Sequence, residues 1–274
     1  RDPEFRRGGL PSIWLTYASG LRPGVEAQKL LTGFGVHIAF GGHDLHGLIK
    51  GPDGRLYFSI ADRGAKVALA TNAQPTTPFN DVTDTGAIFR CEPDGSNFEV
   101  FARGLRNPQD LAFDEFGNLW TGDNNGDGGD KARWTLVLEG AEYGWTTGWQ
   151  WLPKMGAWNS ERLWHTQESN TAAYLVPPVA HLGHGPAGIA YYPGTGLGDD
   201  FVGNFFYCDF PGGVRNFQVE PVGAFFQVVT PTAALSSQWM EDNSPTNFIG
   251  KLLWNLAPVD LAFPPKGGLV VADA

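Results

Sequence analysis

One phrase recurs along the chain and limits what it can fold into: an apolar run, a Gly- or Pro-centred turn, an aromatic-rich run, then Asp. The first copy runs from Leu48 through Gly51-Pro52-Asp53-Gly54 to Leu56-Tyr57-Phe58-Ser59-Ile60-Ala61-Asp62, and the second from Leu111-Ala112-Phe113 through Gly117 to Leu119-Trp120-Thr121-Gly122-Asp123. A third joins Ile189-Ala190-Tyr191-Tyr192 to Phe205-Phe206-Tyr207-Cys208-Asp209, and the last runs from Leu261-Ala262-Phe263 through Gly267-Gly268 to Leu269-Val270-Val271-Ala272-Asp273. Each reads as two short strands around a tight turn. A second kind of hairpin lies between copies. Ala87–Arg90 turns at Pro93-Asp94-Gly95 into Phe98–Phe101, and Val214–Val219 turns near Gly223 into Phe225–Val228.

Two hairpins in succession make a four-stranded antiparallel sheet, and repetition of that unit is the signature of a β-propeller. The expected fold is therefore all-β, with four-stranded blades. Blades of about 40–50 residues allow roughly six, the expected number; only four inner hairpins are clear, so a shortened or truncated propeller is the alternative. A β-sandwich also shows many short strands. The Asp that ends each copy favours the propeller, because equivalent positions then gather around one axis. Residues 6–274 read as a single domain. Arg1-Asp2-Pro3-Glu4-Phe5 reads as a cloning remnant. The Trp-rich segment at about 146–185, with Trp149, Trp151, Trp158 and Trp164 in no clear period, reads as a loop insertion over one face.

Composition agrees and excludes some functions. The 274 residues include 37 Gly, 20 Pro, 19 Phe and 10 Trp, a mixture of tight turns and strands rather than long helices. A net charge of −10 argues against nucleic acid or an anionic membrane as the main partner. No uncharged apolar stretch is long enough for a spanning helix. Cys91 and Cys208 cannot make a disulfide framework and read as buried small hydrophobes.

Three groups of residues are candidates for chemistry. Asp123-Asn124-Asn125-Gly126-Asp127-Gly128-Gly129-Asp130 offers hard oxygens on a glycine-rich loop, which suits calcium. It opens like an EF-hand loop, but Trp134 stands where the bidentate Glu would be and no flanking helices are patterned. A plain solvated turn is the alternative. Second, His37, His43 and His46 lie near Asp62. His43 comes just before one inner strand and Asp62 just after its partner, so a hairpin can place them at one rim, where the carboxylate would orient a histidine base. The three histidines could instead bind a transition metal or serve only loop backbone. Third, Arg106-Asn107-Pro108-Gln109 leads into the second inner strand and offers donors to a carboxylate and a carbonyl. His181 and His184 precede another inner strand.

Taken together these pieces resemble the soluble sugar dehydrogenases that use pyrroloquinoline quinone, the glucose/sorbosone dehydrogenase-like propellers. The resemblance runs from His43 to Trp145, through Asp62, Arg106-Asn107-Pro108-Gln109 and Glu142-Tyr143-Gly144-Trp145, and more weakly beyond. Leu31-Thr32-Gly33-Phe34-Gly35 is similar to the sorbosone-dehydrogenase-like branch. The resemblance implies a six-bladed propeller with the cofactor on one face. His43 would take the substrate hydroxyl proton and Asp62 would orient it. Arg106, counted with the catalytic residues, would contact the quinone together with Asn107 and Gln109. Asp123, Asn125, Gly126, Asp127 and Asp130 with the Tyr143 carbonyl would form the calcium site. The late-blade lysine of the family has no counterpart in Asp209-Phe210-Pro211-Gly212-Gly213-Val214-Arg215, where Arg215 is the nearest cation, and Trp254-Asn255-Leu256-Ala257-Pro258-Val259-Asp260 holds no arginine. Three functions stay open: a calcium- and quinone-dependent dehydrogenase of a sugar or polyol, a calcium-dependent lactonase or esterase, and a carbohydrate-binding propeller. A periplasmic or secreted location goes with the first.

Overall fold

The computed structural model describes residues 12–15, 28–38, 40–69, 81–165, 175–229 and 257–274. The Arg1–Phe5 stretch and part of the Trp254–Asp260 stretch lie outside the described residues. The described chain is mostly strand, as the alternating apolar runs predict.

All four repeated phrases form hairpins: β3 (Leu45–Lys50) with β4 (Leu56–Ile60), β9 (Pro108–Phe113) with β10 (Leu119–Asp123), β13 (Pro186–Tyr191) with β14 (Phe205–Asp209), and β17 (Pro258–Ala262) with β18 (Val270–Asp273). The intervening hairpins also form. β7 (Gly86–Cys91) and β8 (Glu99–Leu105) extend the first sheet to the order β3-β4-β7-β8, and the short β12 (Ala141–Glu142) adds in parallel to β8. β15 (Gly213–Val222) and β16 (Phe225–Val229) complete the order β13-β14-β15-β16. Between them, β11 (Arg133–Val137) makes a three-stranded sheet with β10 and β9, extended by an isolated bridge from Trp134 to Ala180. A further sheet has the order β1-β2-β5-β6, from Ser12–Leu15, Gln28–Phe34, Ala65–Leu69 and Asp81–Val82.

The sheets pack side by side, and a separate core fills each junction. Phe34, Phe58 and Phe89 join the β2 sheet to the β4 sheet. Tyr57, Ile88, Leu111 and Leu119 fill the next junction, Trp120, Trp134, Phe205 and Phe217 the third, and Tyr192, Phe206, Cys208 and Leu261 the fourth. The aromatic excess thus occupies the seams between sheets. This is a propeller-like arrangement in which the inner strands β3, β9, β13 and β17 follow one another. Glycine is required where those strands meet. A Cβ at Gly188 would lie 2.5 Å from the Asp260 Cα, and one at Gly47, which has a φ of +61°, would lie 3.1 Å from the Asp110 Cα.

Both cysteines are buried and free, and burial pushes the Cys91 thiol up to about 12. The Trp-rich segment forms short helical turns between Thr147 and Ser160, and Trp145, Met155, Trp158 and Trp164 bury one another. No helix among the described residues is long and apolar enough to cross a membrane.

Candidate active site

The repeated Asp gives the site its geometry. In the first hairpin Leu45 pairs with Ile60, so His43 and Asp62 stand two residues beyond that pair at the same sheet end. His43 Nδ1 lies 2.7 Å from Asp62 Oδ1, and both side chains are about 4% exposed. Trp145 Nε1 donates to Asp62 Oδ2 over 2.9 Å. A carboxylate only accepts, so Nδ1 carries a proton, and in the neutral ring Nε2 is the nitrogen with the lone pair.

The next hairpin repeats the plan with different chemistry. Pro108 pairs with Asp123, and Asp123 Oδ1 accepts the backbone N–H groups of Arg106 (2.9 Å) and Asn107 (2.8 Å). In the third, Asp209 Oδ1 accepts the N–H of His184 (2.8 Å) and Gly185 (3.1 Å), and in the fourth Asp273 Oδ1 accepts that of Ala257 (2.7 Å). The Asp is thus a clamp on the entry to each inner strand. Only in the first hairpin does it hold an imidazole.

These strand entries border one cavity of about 480 Å³, lined by Phe40, Gly42, His43, Arg106, Asn107, Gln109, Asn124, Asp127, Pro186, Ala187, Phe210 and Val259 among others. The Arg106 guanidinium is buried, donates to the Asn125 carbonyl, to Gln150 Oε1 (3.1 Å) and to Asp127 Oδ2 (3.1 Å), and lies 5.7 Å from the Phe40 ring centre. Asn107 Oδ1 is buried without a protein partner, although its residue lines the cavity. Gln109 Nε2 donates to the Gly42 carbonyl over 3.2 Å. At the rim, Phe40 stacks on Trp151 at 6.2 Å and 22°, and Trp151 is 68% exposed.

His43, Asp62, Arg106, Asn107 and Gln109 are therefore brought together, the first two as their hairpin spacing predicts. His37 and His46 do not join them. His37 faces a separate groove with Trp151, and His46 borders a polar cavity of about 350 Å³ with Asp110 and Asp260. His181 Nδ1 donates to the Ala132 carbonyl over 3.0 Å, and burial lowers the pKa of the ring to about 4. Arg215 is not part of that cavity's lining, and its Nε and Nη2 lie 2.9 and 2.7 Å from Asp209 Oδ2.

The 123–130 loop closes on the protein's own donors. Asp123 Oδ2 accepts Arg133 Nη2 at 2.5 Å, and Arg133 Nη1 donates to the Tyr143 carbonyl at 2.6 Å. Asp130 Oδ2 accepts the Gly126 N–H (2.6 Å) and Trp158 Nε1 (2.7 Å), and its Oδ1 accepts the Gly128 N–H (3.3 Å). The Gly126 carbonyl accepts Gln150 Nε2 (3.0 Å) and the Asn125 carbonyl accepts Arg106. Asp127 carries the loop's exposed carboxylate and pairs with Arg106. A guanidinium thus occupies the space between Asp123 and the Tyr143 carbonyl, and this donor set does not fit calcium. The 480 Å³ cavity instead offers a small ligand apolar walls in Phe40 and Phe210, a cation in Arg106 and an acceptor without a protein partner in Asn107 Oδ1.

Sequence reasoning passed over Trp145 as a partner of Asp62, and over Arg133 and Gln150. Trp145 stood only as part of a motif, 83 residues from Asp62, and Arg133 is one position inside an apolar strand.

The aldose sugar dehydrogenase of Streptomyces coelicolor, solved in its pyrroloquinoline quinone-bound form, superposes with a TM-score of 0.57 at 18% identity over 96% of this chain and 66% of that one. A structure from Thermus thermophilus assigned as an oxidoreductase (glucose dehydrogenase) gives a TM-score of 0.52 at 18% identity, over 98% of this chain and 74% of that one. Quinoprotein glucose dehydrogenase B of Acinetobacter calcoaceticus is 30% identical over 124 residues, 38% of this chain and 26% of that protein. The chain thus spans about two thirds of the first structure and aligns with about a quarter of the curated relative. Residues 28–211, more than half of the chain, match the glucose/sorbosone dehydrogenase family, and the chain belongs to that family.

Proposed function

We propose that the cavity is the site of a quinone-dependent dehydrogenase that oxidises a sugar or polyol hydroxyl. The observation that carries this reading is the buried Trp145–Asp62–His43 chain, ending in a bare Nε2 on the wall that also holds Arg106 and Asn107.

The chemistry follows from the parts. A carbinol becomes a carbonyl by losing its hydroxyl proton and the hydride on its carbon. His43 Nε2 accepts the proton, while Asp62 holds the ring in one tautomer and stabilises the imidazolium that forms. Trp145 fixes the second carboxylate oxygen. Pyrroloquinoline quinone, when bound, supplies the two-electron acceptor for the hydride. Arg106 and Asn107 would hold it, and Gln109 would steady the Gly42 turn ahead of His43. Phe40 and Trp151 at the rim present apolar ring faces of the kind that cover the C–H face of a sugar. The reading carries an extracytoplasmic location with it.

Calcium has no assigned step here. The lactonase reading needs a metal to polarise a carbonyl, and the carboxylates expected to hold it are engaged by Arg133, Trp158 and backbone donors.

The test is reconstitution. The protein is loaded with pyrroloquinoline quinone and dye reduction is followed with a panel of aldoses and polyols. Saturable binding and substrate-dependent reduction are expected. A protein that neither binds the quinone nor reduces dye with any of them is not this enzyme.

A further inference from the structure

We propose that Arg133 is a built-in cation that holds the place a loop metal would take and positions both halves of the cavity wall. Its side chain is 2% exposed, and its guanidinium reaches three oxygens: Asp123 Oδ2 at 2.5 Å, the Tyr143 carbonyl at 2.6 Å and the Gly104 carbonyl at 3.4 Å. Its Cζ lies 4.9 Å from the Trp158 ring centre. Each contact leads to the site. Asp123 carries the backbone of Arg106 and Asn107 on its other oxygen. Tyr143 lies two residues before Trp145, which holds Asp62 and through it His43. Gly104 is the second-last residue of β8, two residues before Arg106.

The cross-strand register explains how this arises. Arg133 is directly opposite Asp123 in the β10–β11 pair. The next sheet has a similar ion pair in a different register: Arg215 is opposite Tyr207 and reaches Asp209 two residues further on. An arginine–aspartate pair thus recurs, although its position in the strand does not. In the β9 sheet it also bridges to the neighbouring sheet, where a divalent cation would otherwise be needed to gather carboxylate and carbonyls. A guanidinium with several fixed donors does this without an exchangeable ion. The inference rests on the cavity reading only for what Arg106 and His43 do there. Its metal and stability consequences hold whatever the reaction.

The experiment uses apo protein. Thermal melts are recorded in EDTA and in millimolar calcium chloride, with calcium titrated by calorimetry and the His43 imidazole followed by ¹⁵N NMR through a pH titration. Wild type should show the same Tm in both buffers and no calcium heat. Arg133→Gln should lower Tm by roughly 10 °C and move the His43 resonances. Arg215→Gln, which breaks the matching pair in the next sheet, should lower Tm comparably and leave the His43 resonances in place. If Arg133→Gln does not fold, Arg133→Lys replaces it; a lysine keeps the charge on Asp123 but cannot span to both carbonyls, so the His43 resonances should still move. A wild-type Tm raised by about 5 °C or more in calcium would show that a metal does this work. His43 resonances unmoved in the Arg133 variant would reduce Arg133 to a purely structural pair. Either result overturns the proposal, and neither depends on whether the protein turns over a sugar.

Discussion

His43 and Asp62 are 19 residues apart, and their 2.7 Å contact is set by hairpin register. Slipping that register by one residue would point one of them to the other face of the sheet. The dyad therefore rests on the β3–β4 turn as much as on its own two residues. Asp62→Asn keeps the shape but can present an N–H to Nδ1, which favours the wrong tautomer. It should lower turnover by about 10²–10⁴-fold in the reconstituted dye assay while leaving quinone affinity near wild type. Trp145→Phe removes one donor to Asp62 and should cost about tenfold, with its effect on kcat rather than on KM. The dyad was legible in the sequence because it lies within one local hairpin. Trp145 was not, because its contact spans 83 residues, from the loop after β12 back to the end of β4 in the same sheet. The same limit hid Arg133. Spacing marked the oxygen-rich 123–130 loop as a metal ligand set, and nothing local showed that its oxygens already had protein partners.

At the scale of elements, the ending Asp of each hairpin has the widest consequences. Asp62, Asp123, Asp209 and Asp273 each accept hydrogen bonds from the start of the partner strand, so the repeat is first a structural clamp. The repeat predicted all four hairpins because apolar alternation and turn residues are local signals. The three-stranded state of the β9 sheet was not predictable, since its outer position is filled by a single bridge from Ala180, far along the chain. Asp209→Ala would remove the carboxylate that pairs with the buried Arg215 guanidinium and accepts two backbone N–H groups, and should cost about 3–5 kcal/mol in urea denaturation. Trp134 stacks on Trp120 at 5.8 Å and meets Phe217 edge-on at 4.9 Å in the seam between the β9 and β13 sheets. Trp134→Ala should cost roughly 3–5 kcal/mol by the same measurement.

For the whole molecule, the inner strands bring together carboxyls that are distant in sequence. Asp110 accepts the Ile189 N–H across two sheets at 2.8 Å, and faces Asp260 in the small polar cavity. Burial, with Asp260 adding repulsion, raises its pKa to about 7. The folded protein then holds this proton to higher pH than the unfolded chain does. The Asp110 contribution to stability is full below about pH 4 and is lost as the pH rises through about 7. Asp110→Asn should therefore stabilise the protein at pH 8 relative to wild type, by up to a few kcal/mol, and give no such gain at pH 4. His181 works in the opposite sense. With its pKa lowered to about 4, its contribution is present above about pH 6.5 and is lost as the pH falls toward 4. Urea denaturation from pH 4 to 8 reads both.

The central claim is that His43 is the base at a quinone-dependent site. It is tested most directly by titrating pyrroloquinoline quinone into wild type and His43→Asn and measuring sugar-dependent dye reduction in the same samples. The account predicts matching quinone affinity in both, with turnover in wild type and at least about a hundredfold less in the variant. Equal turnover in the two proteins would contradict it.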